Sequence, residues 1–405
     1  MRVGKFKPVL AVVLAISAAC TSGIEDNGAL RAEITRVGDT TVVLNRGEPA
    51  HVRRDSIRLL WRSAALQDPS TLLRLGDRLI VGDAKRVHIV SLQGEFLRTV
   101  GREGHGPREF EHIAEVAQFA ADTVAVHDVE NQRITFFTPN GDFLGSARYE
   151  PLLPYGNPVN GYLPETSVRR GLVRFRDGVV SLWRERVSWT RATRTALVWH
   201  DLQADTAAVL ESWEGERWFR AGGQWAGTTE LFPPRVIAAL APDGRLAVGN
   251  GIGYCITRHV VMQGEFRRVC RDRTPAPVGE GIHHPDWSRV ESEFMRRARS
   301  ELARDQRVPR HLPHFDRLLI DEEGHLWVRT IGPEFSDLHP YLLESVPDIR
   351  PPFRTWDVFD EAGRLLSTIE IPSNFEPQVI QQRSVYGFVE LQSGEVAVGV
   401  MGFPF

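Results

Sequence analysis

The chain has 405 residues, 42% of them hydrophobic and 25% charged, with a formal net charge of −3 at pH 7. A balance this near neutrality gives no electrostatic ground for a nucleic-acid partner. The length is large for one compact core but ordinary for a core divided among repeated units.

Arg2, Lys5 and Lys7 precede an apolar run from Pro8 to Ile16 and the small residues Ser17, Ala18 and Ala19. This is the order of a signal peptide, and the run is too short to remain as a membrane span. With Cys20 next, the stretch resembles the lipobox of bacterial lipoproteins, which implies acylation of Cys20 as the first mature residue. Ser17 stands where such boxes usually carry Leu, Val or Ile. A secreted protein cut after Ala19 is the alternative. Within the resemblance, Thr21 in place of an aspartate implies the outer membrane. Residues 1–19 are read as the leader, 20–31 as a lipid-anchored tether and 32–405 as the folded body. Loss of the leader leaves a net charge of −6, and Lys85 is the only lysine beyond it.

Short runs rich in β-branched and aromatic residues follow, punctuated by turn residues. Leu72 to Leu75, Arg78 to Asp83, Val87 to Ser91 and Glu95 to Val100 form one set, with turns at Gly76-Asp77 and Gln93-Gly94. Val116 to Phe119, Thr123 to Asp128, Arg133 to Phe137 and Asp142 to Ala147 repeat it, with turns at Ala121-Asp122 and Asn140-Gly141. A four-stranded sheet of this kind buries neither face alone, so stacked copies must close its core. Further hairpin turns at Asp177-Gly178, Asp243-Gly244, Glu323-Gly324 and Ser393-Gly394 bring the first hairpins to six, and so predict six blades. Only five second hairpins follow them, at Gln93-Gly94, Asn140-Gly141, Leu202-Gln203, Gln263-Gly264 and Ala362-Gly363. The missing strands are expected from the N-terminus, among Ile34 to Val37, Thr40 to Leu44 and Ile57 to Arg62.

The loop Gly101-Arg-Glu-Gly-His-Gly-Pro-Arg-Glu-Phe110, with Asp128 to Phe137 and Asn140-Gly141, resembles bacterial six-bladed propeller lipoproteins related to NHL-repeat and TolB-like propeller proteins. That resemblance implies an all-β, six-bladed β-propeller at the cell envelope. Gly101, Gly104 and Gly106 read as a blade crossing with positive φ and close backbone approach. A phosphate cradle is disfavoured, because no helix and no Lys-Ser/Thr follows the last glycine.

Long connections fall between blades or between second and third strands, which an up-and-down sheet delivers to one side. They are 148–170, 184–193, 212–235, 271–314 and 331–352. Loops on a rigid scaffold commonly carry binding sites, so this side is expected to bind a protein, peptide or glycan. In the longest, Trp287, Val290, Phe294, Ala298 and Leu302 recur at helical spacing and predict a helical insertion over about 285–305, between blades 4 and 5. Trp213, Trp218 and Trp225 are candidates for stacking on a ligand, or for a lid packed on the blade edge.

Cys255 and Cys270 flank a turn near Met262 to Glu265 and stand either as a cross-strand disulfide or as two buried thiols, because a one-residue slip would part them. His283, His284, His311, His314 and His339 fall on the long-loop side. His311 and His314 have a spacing two ligands of a divalent metal could use, although Pro313 argues against a helical pair. No cofactor is otherwise predicted, and no nucleophile elbow or Cys/His pair stands in the sequence. The alternative to a binding scaffold is a metal-dependent hydrolase or lyase with its site at the central channel, an analogy of fold alone.

Overall fold

The computed structural model describes residues 24–26, 30–49, 52–53, 58–148, 162–164, 173–175, 178–185, 192–201, 206–221, 224–228, 232, 235–261, 266–279, 309–336, 351–381 and 384–402. Six sheets, antiparallel but for two N-terminal additions, account for almost all of them. Blade 1 runs Pro69–Leu75, Arg78–Asp83, Arg86–Ser91 and Phe96–Val100; blade 2 runs Ile113–Ala120, Thr123–Asp128, Arg133–Phe137 and Phe143–Arg148. In blade 3, Val173–Phe175 and Tyr162–Pro164 pair with Gly178–Glu185, followed by Ala192–Asp201 and Thr206–Ala221. Blade 4 runs Ile237–Leu240, Arg245–Gly249, Cys255–Val260 and Phe266–Arg271; blade 5 runs Phe315–Ile320, Leu326–Thr330, Phe353–Phe359 and Leu365–Pro372. The first strands of blades 1 and 2, 2 and 3, 4 and 5, and 6 and 1 touch each other, as the inner strands of a closed ring do. The chain is therefore the expected six-bladed, all-β propeller. The predicted helix over 285–305 lies outside the described residues.

Burial follows from this arrangement. The second strands of blades 1 and 2 are buried at Leu79 through Asp83 and at Val124 through Asp128, because a neighbouring blade covers each face. The outer strands Phe96–Val100 and Phe143–Arg148 are largely exposed. Among the described residues apolar side chains meet in six clusters between neighbouring blades, besides a small one of Ala276, Leu312 and Phe335 in the connections. Ile80 and Ile89 face Ile113 and Val126; Ala125 and Ile134 face Val179 and Val198; Leu182 and Leu197 face Leu240 and Leu246. Ile256 and Val269 face Phe315 and Phe359, Trp356 and Ile369 face Phe375 and Val385, and Phe388 and Val398 face Leu72 and Leu79 to close the circle.

One turn recurs through the blades. In Ser91–Glu95 the first residue's N–H donates to the fifth residue's carbonyl, and the fourth residue, Gly94, donates back to the first. The same pair of bonds closes Thr138–Asp142, Ala241–Arg245, Asp321–His325, Asp360–Arg364 and Leu391–Glu395. The fourth residue is glycine each time, with φ between +81° and +90°, as a type I turn with a following bulge requires. Gly141 and Gly363 carry a second constraint. A Cβ on Gly141 would come within 2.8 Å of Ile89 and Val100, and one on Gly363 within 2.8 Å of Val269, so each turn packs on the outer part of the preceding blade.

The N-terminal chain departs from expectation. A single stretch, Arg58–Leu66, completes blade 6 by pairing antiparallel with Val396–Gly402. The hairpin Arg31–Val37 and Thr40–Arg46 instead lies parallel beside Phe266–Arg271 at the outer edge of blade 4, and Val52–Arg53 adds in parallel to blade 5. Ile24–Asp26, read as tether, pairs with Arg31–Val37. The misreading has a local cause. Ser393-Gly394 joins the second and third strands of blade 6, Ser384–Glu390 and Val396–Gly402, because its inner strand is Phe375–Gln381. Pro377 hides that strand, since proline normally breaks a strand pattern; an inner edge with a bulge between Pro377 and Val379 tolerates it.

Asn45 ties these pieces together. Its Nδ2 donates to Cys270 O at 3.0 Å and Gly363 O at 2.9 Å, and its Oδ1 accepts Leu365 N–H at 2.8 Å, all in a buried setting. Asn45→Ala leaves these backbone groups without a partner and is expected to lower stability by about 2–3 kcal/mol in urea unfolding; an unchanged midpoint would contradict that role.

Candidate functional face

The strand order gives the disc two unlike faces. First-to-second and third-to-fourth strands are joined by two to five residues, and these hairpins share what we call the turn face. Second-to-third connections and blade-to-blade links emerge on the other, the crossing face, which carries all the long connections. The stretch 212–235, expected to be one of these loops, is corrected. Thr206–Ala221 is a continuous strand that runs on to form a hairpin with Gln224–Thr228. Most of 149–172, 280–308 and 337–350, with His283, His284 and His339, lies outside the described residues.

The crossing from blade 1 to blade 2 is fully pinned. Arg102–Glu103 and Glu109–Phe110 pair in parallel, and the Phe110 ring fills the space a Cβ on Gly101 would need. Gly101 has φ +84° and Gly104 +143°; Gly106 is not left-handed, and Arg108 takes that conformation instead, at +65°. Gly106 N–H donates to Glu109 Oε2 at 2.8 Å and Arg102 Nε to Glu109 Oε1 at 2.8 Å, which together hold the Glu109 carboxyl below its ordinary pKa. Arg133 Nη1 donates to His105 O at 3.1 Å and Asn131 Nδ2 to Gly104 O at 3.0 Å. With Gly106 N–H given to Glu109 and these carbonyls to blade 2, the loop is a brace.

Two aspartates clamp the crossings. Asp83, at the end of the second strand of blade 1, accepts Gln67 N–H at 3.1 Å and Asp68 N–H at 2.5 Å, the amides just ahead of the inner strand. Asp128 accepts Glu111 N–H at 3.0 Å and His112 N–H at 3.1 Å in the same place of blade 2. Burial pushes the Asp83 carboxyl up, but His88 Nε2 at 3.1 Å and the two amides outweigh it and leave the pKa below the ordinary aspartate value. The paired letters were visible in the sequence as Asp83-Ala-Lys-Arg-Val-His-Ile and Asp128-Val-Glu-Asn-Gln-Arg-Ile; the clamp was not.

His311 is exposed, whereas His314, directly ahead of the inner strand of blade 5, is buried with Nδ1 unpartnered. Its ring lies 5.7 Å from that of Tyr254. Burial first, then the positive Arg273 and His311, depress its pKa. Among the described residues no third ligand joins the two histidines. The group that does gather is Asp321, Glu323 and His325 on the turn face. There Asp321 Oδ1 accepts His325 N–H at 2.7 Å, while Oδ2 meets His325 Nδ1 at 2.8 Å and accepts Trp327 Nε1–H at 2.9 Å, so the carboxylate is occupied in holding its turn.

Trp213 packs partly buried against the cluster between blades 3 and 4. Trp218 pairs with Thr228 and Trp225 with Arg220 across the hairpin, which places both on strands. Cys255 and Cys270 are direct partners across blade 4, with their Sγ atoms 2.14 Å apart.

Sequence reasoning missed the charges beside them. Arg271, buried at the end of the outer strand of blade 4, pairs with fully buried Asp357 and, at 2.5 Å, with Glu48. Tyr254 Oη donates to Asp357, and Thr368 Oγ1 donates to it at 2.8 Å. Burial and the Asp357 charge raise the Tyr254 phenol well above its usual value. On the inner side, Arg329 bridges Asp316 at 2.7 Å and Glu376 at 2.9 Å, and Arg317 pairs with Glu376, joining blades 5 and 6. A cleft of about 450 Å³ opens on the crossing face of blade 6, lined by Arg62, Asn374, Glu390, Gln392 and Glu395 among others.

No protein-family model matches the chain, and no curated protein matches it in sequence. Among solved structures it is similar to a putative exported protein from Bacteroides fragilis, at 9% identity over 90% of this chain and 100% of that one, with a TM-score of 0.47. A member of the DUF4221 family from Bacteroides vulgatus gives 9% identity, 87% and 99% coverage and a TM-score of 0.47. Regucalcin from Agrobacterium tumefaciens, a calcium-binding protein, gives 8% identity, 86% and 96% coverage and a TM-score of 0.36. Similarity of this degree identifies no ligand and no activity.

Two pH effects follow from the clamps and the buried imidazole. His314 titrates lower folded than unfolded, so protonation favours the unfolded chain. Its share of stability is complete above about pH 6.5 and is lost as the pH falls from there; His314→Gln should flatten the fall in Tm between pH 7 and pH 5. Asp83 is an acid rather than a base but shifts stability in the same direction. Its share is complete above about pH 4 and is lost as the pH falls through the lower folded value, so Asp83→Asn should cost about 1–3 kcal/mol at pH 7 and progressively less as the pH falls below about 4. Equal slopes in variant and parent chains would contradict either assignment.

Proposed function

We propose that the chain is a cell-envelope β-propeller, acylated on Cys20 and held at the outer membrane, that binds a protein, peptide or glycan through its crossing face. The observation that carries the reading is the asymmetry of the connections. Every hairpin on the turn face is two to five residues long, while the crossing face takes 272–314 and 331–352. Segments of that length on a disc braced by Asp83, Asp128 and the Gly101–Phe110 loop are where a rigid scaffold presents recognition residues. The lipobox-like Ser17-Ala18-Ala19-Cys20 supplies the address.

A photo-crosslinking amino acid placed singly in cells tests this. Exposed crossing-face positions Glu130, Glu334 and Gln392 are expected to give discrete adducts, and exposed turn-face positions Asp77, Asp122 and Asn140 none. Adducts of equal yield from both faces, or from the turn face alone, would overturn the assignment.

A further inference from the structure

The stretch 20–31 reads as a free tether, yet the structure shortens it. Ile24–Asp26 pairs antiparallel with Arg31–Val37, with Ile24 opposite Glu33 and Asp26 opposite Arg31, so the chain is already paired to the outermost edge of blade 4 at Ile24. Only four residue steps separate Ile24 from Cys20, a reach of at most about 14 Å for an extended chain. The sheet they join has seven strands. At about 4.8 Å per strand spacing its outermost strand lies roughly 29 Å from its inner one. An acyl anchor on Cys20 thus reaches neither the central channel nor the far rim.

We infer that the propeller meets a lipid bilayer with the outer edge of blade 4 and stands on its rim, with Ile34, Arg36 and Val37 in the headgroup region. This rests on the acylation of Cys20 proposed above. The edge has the side chains for such a place. Ile34 is 38% and Val37 65% exposed, large values for aliphatic residues on a strand, and Arg36 between them is exposed as well. Aliphatic groups enter the acyl boundary while guanidinium groups stay with the phosphates. The anchor and this edge act on the same spot. In a ring of six, blade 1 lies opposite blade 4, so Leu97 points away from the bilayer, and the crossing face opens sideways. The competing arrangement is flat on the turn face, where Leu97, Leu144 and Leu366, at 51%, 54% and 50% exposure, recur near the start of the outer strands of blades 1, 2 and 5.

The full chain with its own leader, purified from membranes, distinguishes these arrangements. The mass of its N-terminal peptide reports acylation of Cys20. Single labels at Thr35→Cys, Val37→Cys, Leu97→Cys and Gln392→Cys are then read in phosphatidylethanolamine and phosphatidylglycerol vesicles that contain nitroxide lipid. Labels at Thr35 and Val37 should be quenched several-fold more than those at Leu97 and Gln392. Equal quenching at Val37 and Leu97 would mean flat docking and would overturn the edge-on arrangement, as would no quenching anywhere on the acylated protein. A Cys20 without acyl chains would overturn the anchoring and this inference with it, an outcome the mass alone identifies.

Discussion

Everything in the molecule depends on closing a ring of sheets that are apolar on both sides. Leu79, Val81 and Val90 of blade 1 are covered only because Phe388, Val398 and Val400 of blade 6 come round to meet them. The hydrophobic effect acts here between blades rather than within them, and no blade is a finished unit. Arg58–Leu66 therefore has a place out of proportion to its length. It covers the last unpaired edge of blade 6, Val396–Gly402, and leads directly into the inner strand of blade 1, so the seam is locked by backbone pairing at the point where the covalent ring is open.

On this frame the two faces divide their tasks. The turn face is made of tight hairpins whose glycines answer two demands at once, a left-handed φ and, at Gly141 and Gly363, room for the neighbouring blade. Arg78, Arg98 and Arg245 cross between blades there, pairing with carboxylates or turn carbonyls on the neighbouring blade. The crossing face is held where Asp83 and Asp128 grip the backbone ahead of the inner strands of blades 1 and 2, which fixes those strands independently of the connections above them.

What the sequence makes legible is what local chemistry decides. Blades 1 and 2 can be read almost to the residue, since β-branched runs such as Thr123–Asp128 and Arg133–Phe137 are bounded by turn residues with a single favourable conformation. Blade 6 is harder because Pro377 interrupts the pattern of its inner strand, and although N-terminal closure of the ring can be read, which of the three N-terminal runs provides it cannot. Nothing in Arg31–Arg46 says that it will lie beside Phe266–Arg271, because that pairing is set by an edge built more than two hundred residues later. The same limit governs the site. His311 and His314 are spaced like ligands, but whether a third group meets them is a property of the fold, which buries one and exposes the other. Trp213 reads as a loop aromatic only until Thr206–Ala221 is seen to be one long strand, where it packs between blades.

The N-terminal belt also sets a clock. Leu66 pairs with Val396 and Asn45 serves Leu365, so the first strands to leave the ribosome are among the last to find their partners. At ordinary synthesis rates of about 5–20 residues per second, the roughly 330 residues between them take on the order of 20–60 s. Throughout that time Arg58–Leu66 has no strand to pair with, and blade 1 lacks the neighbour that covers Leu72 and Leu79. Contacts this distant in sequence make the ring a late and slow event, one that cannot begin to close until Val396–Gly402 has arrived. A chain so ordered must be kept from collapsing while it waits.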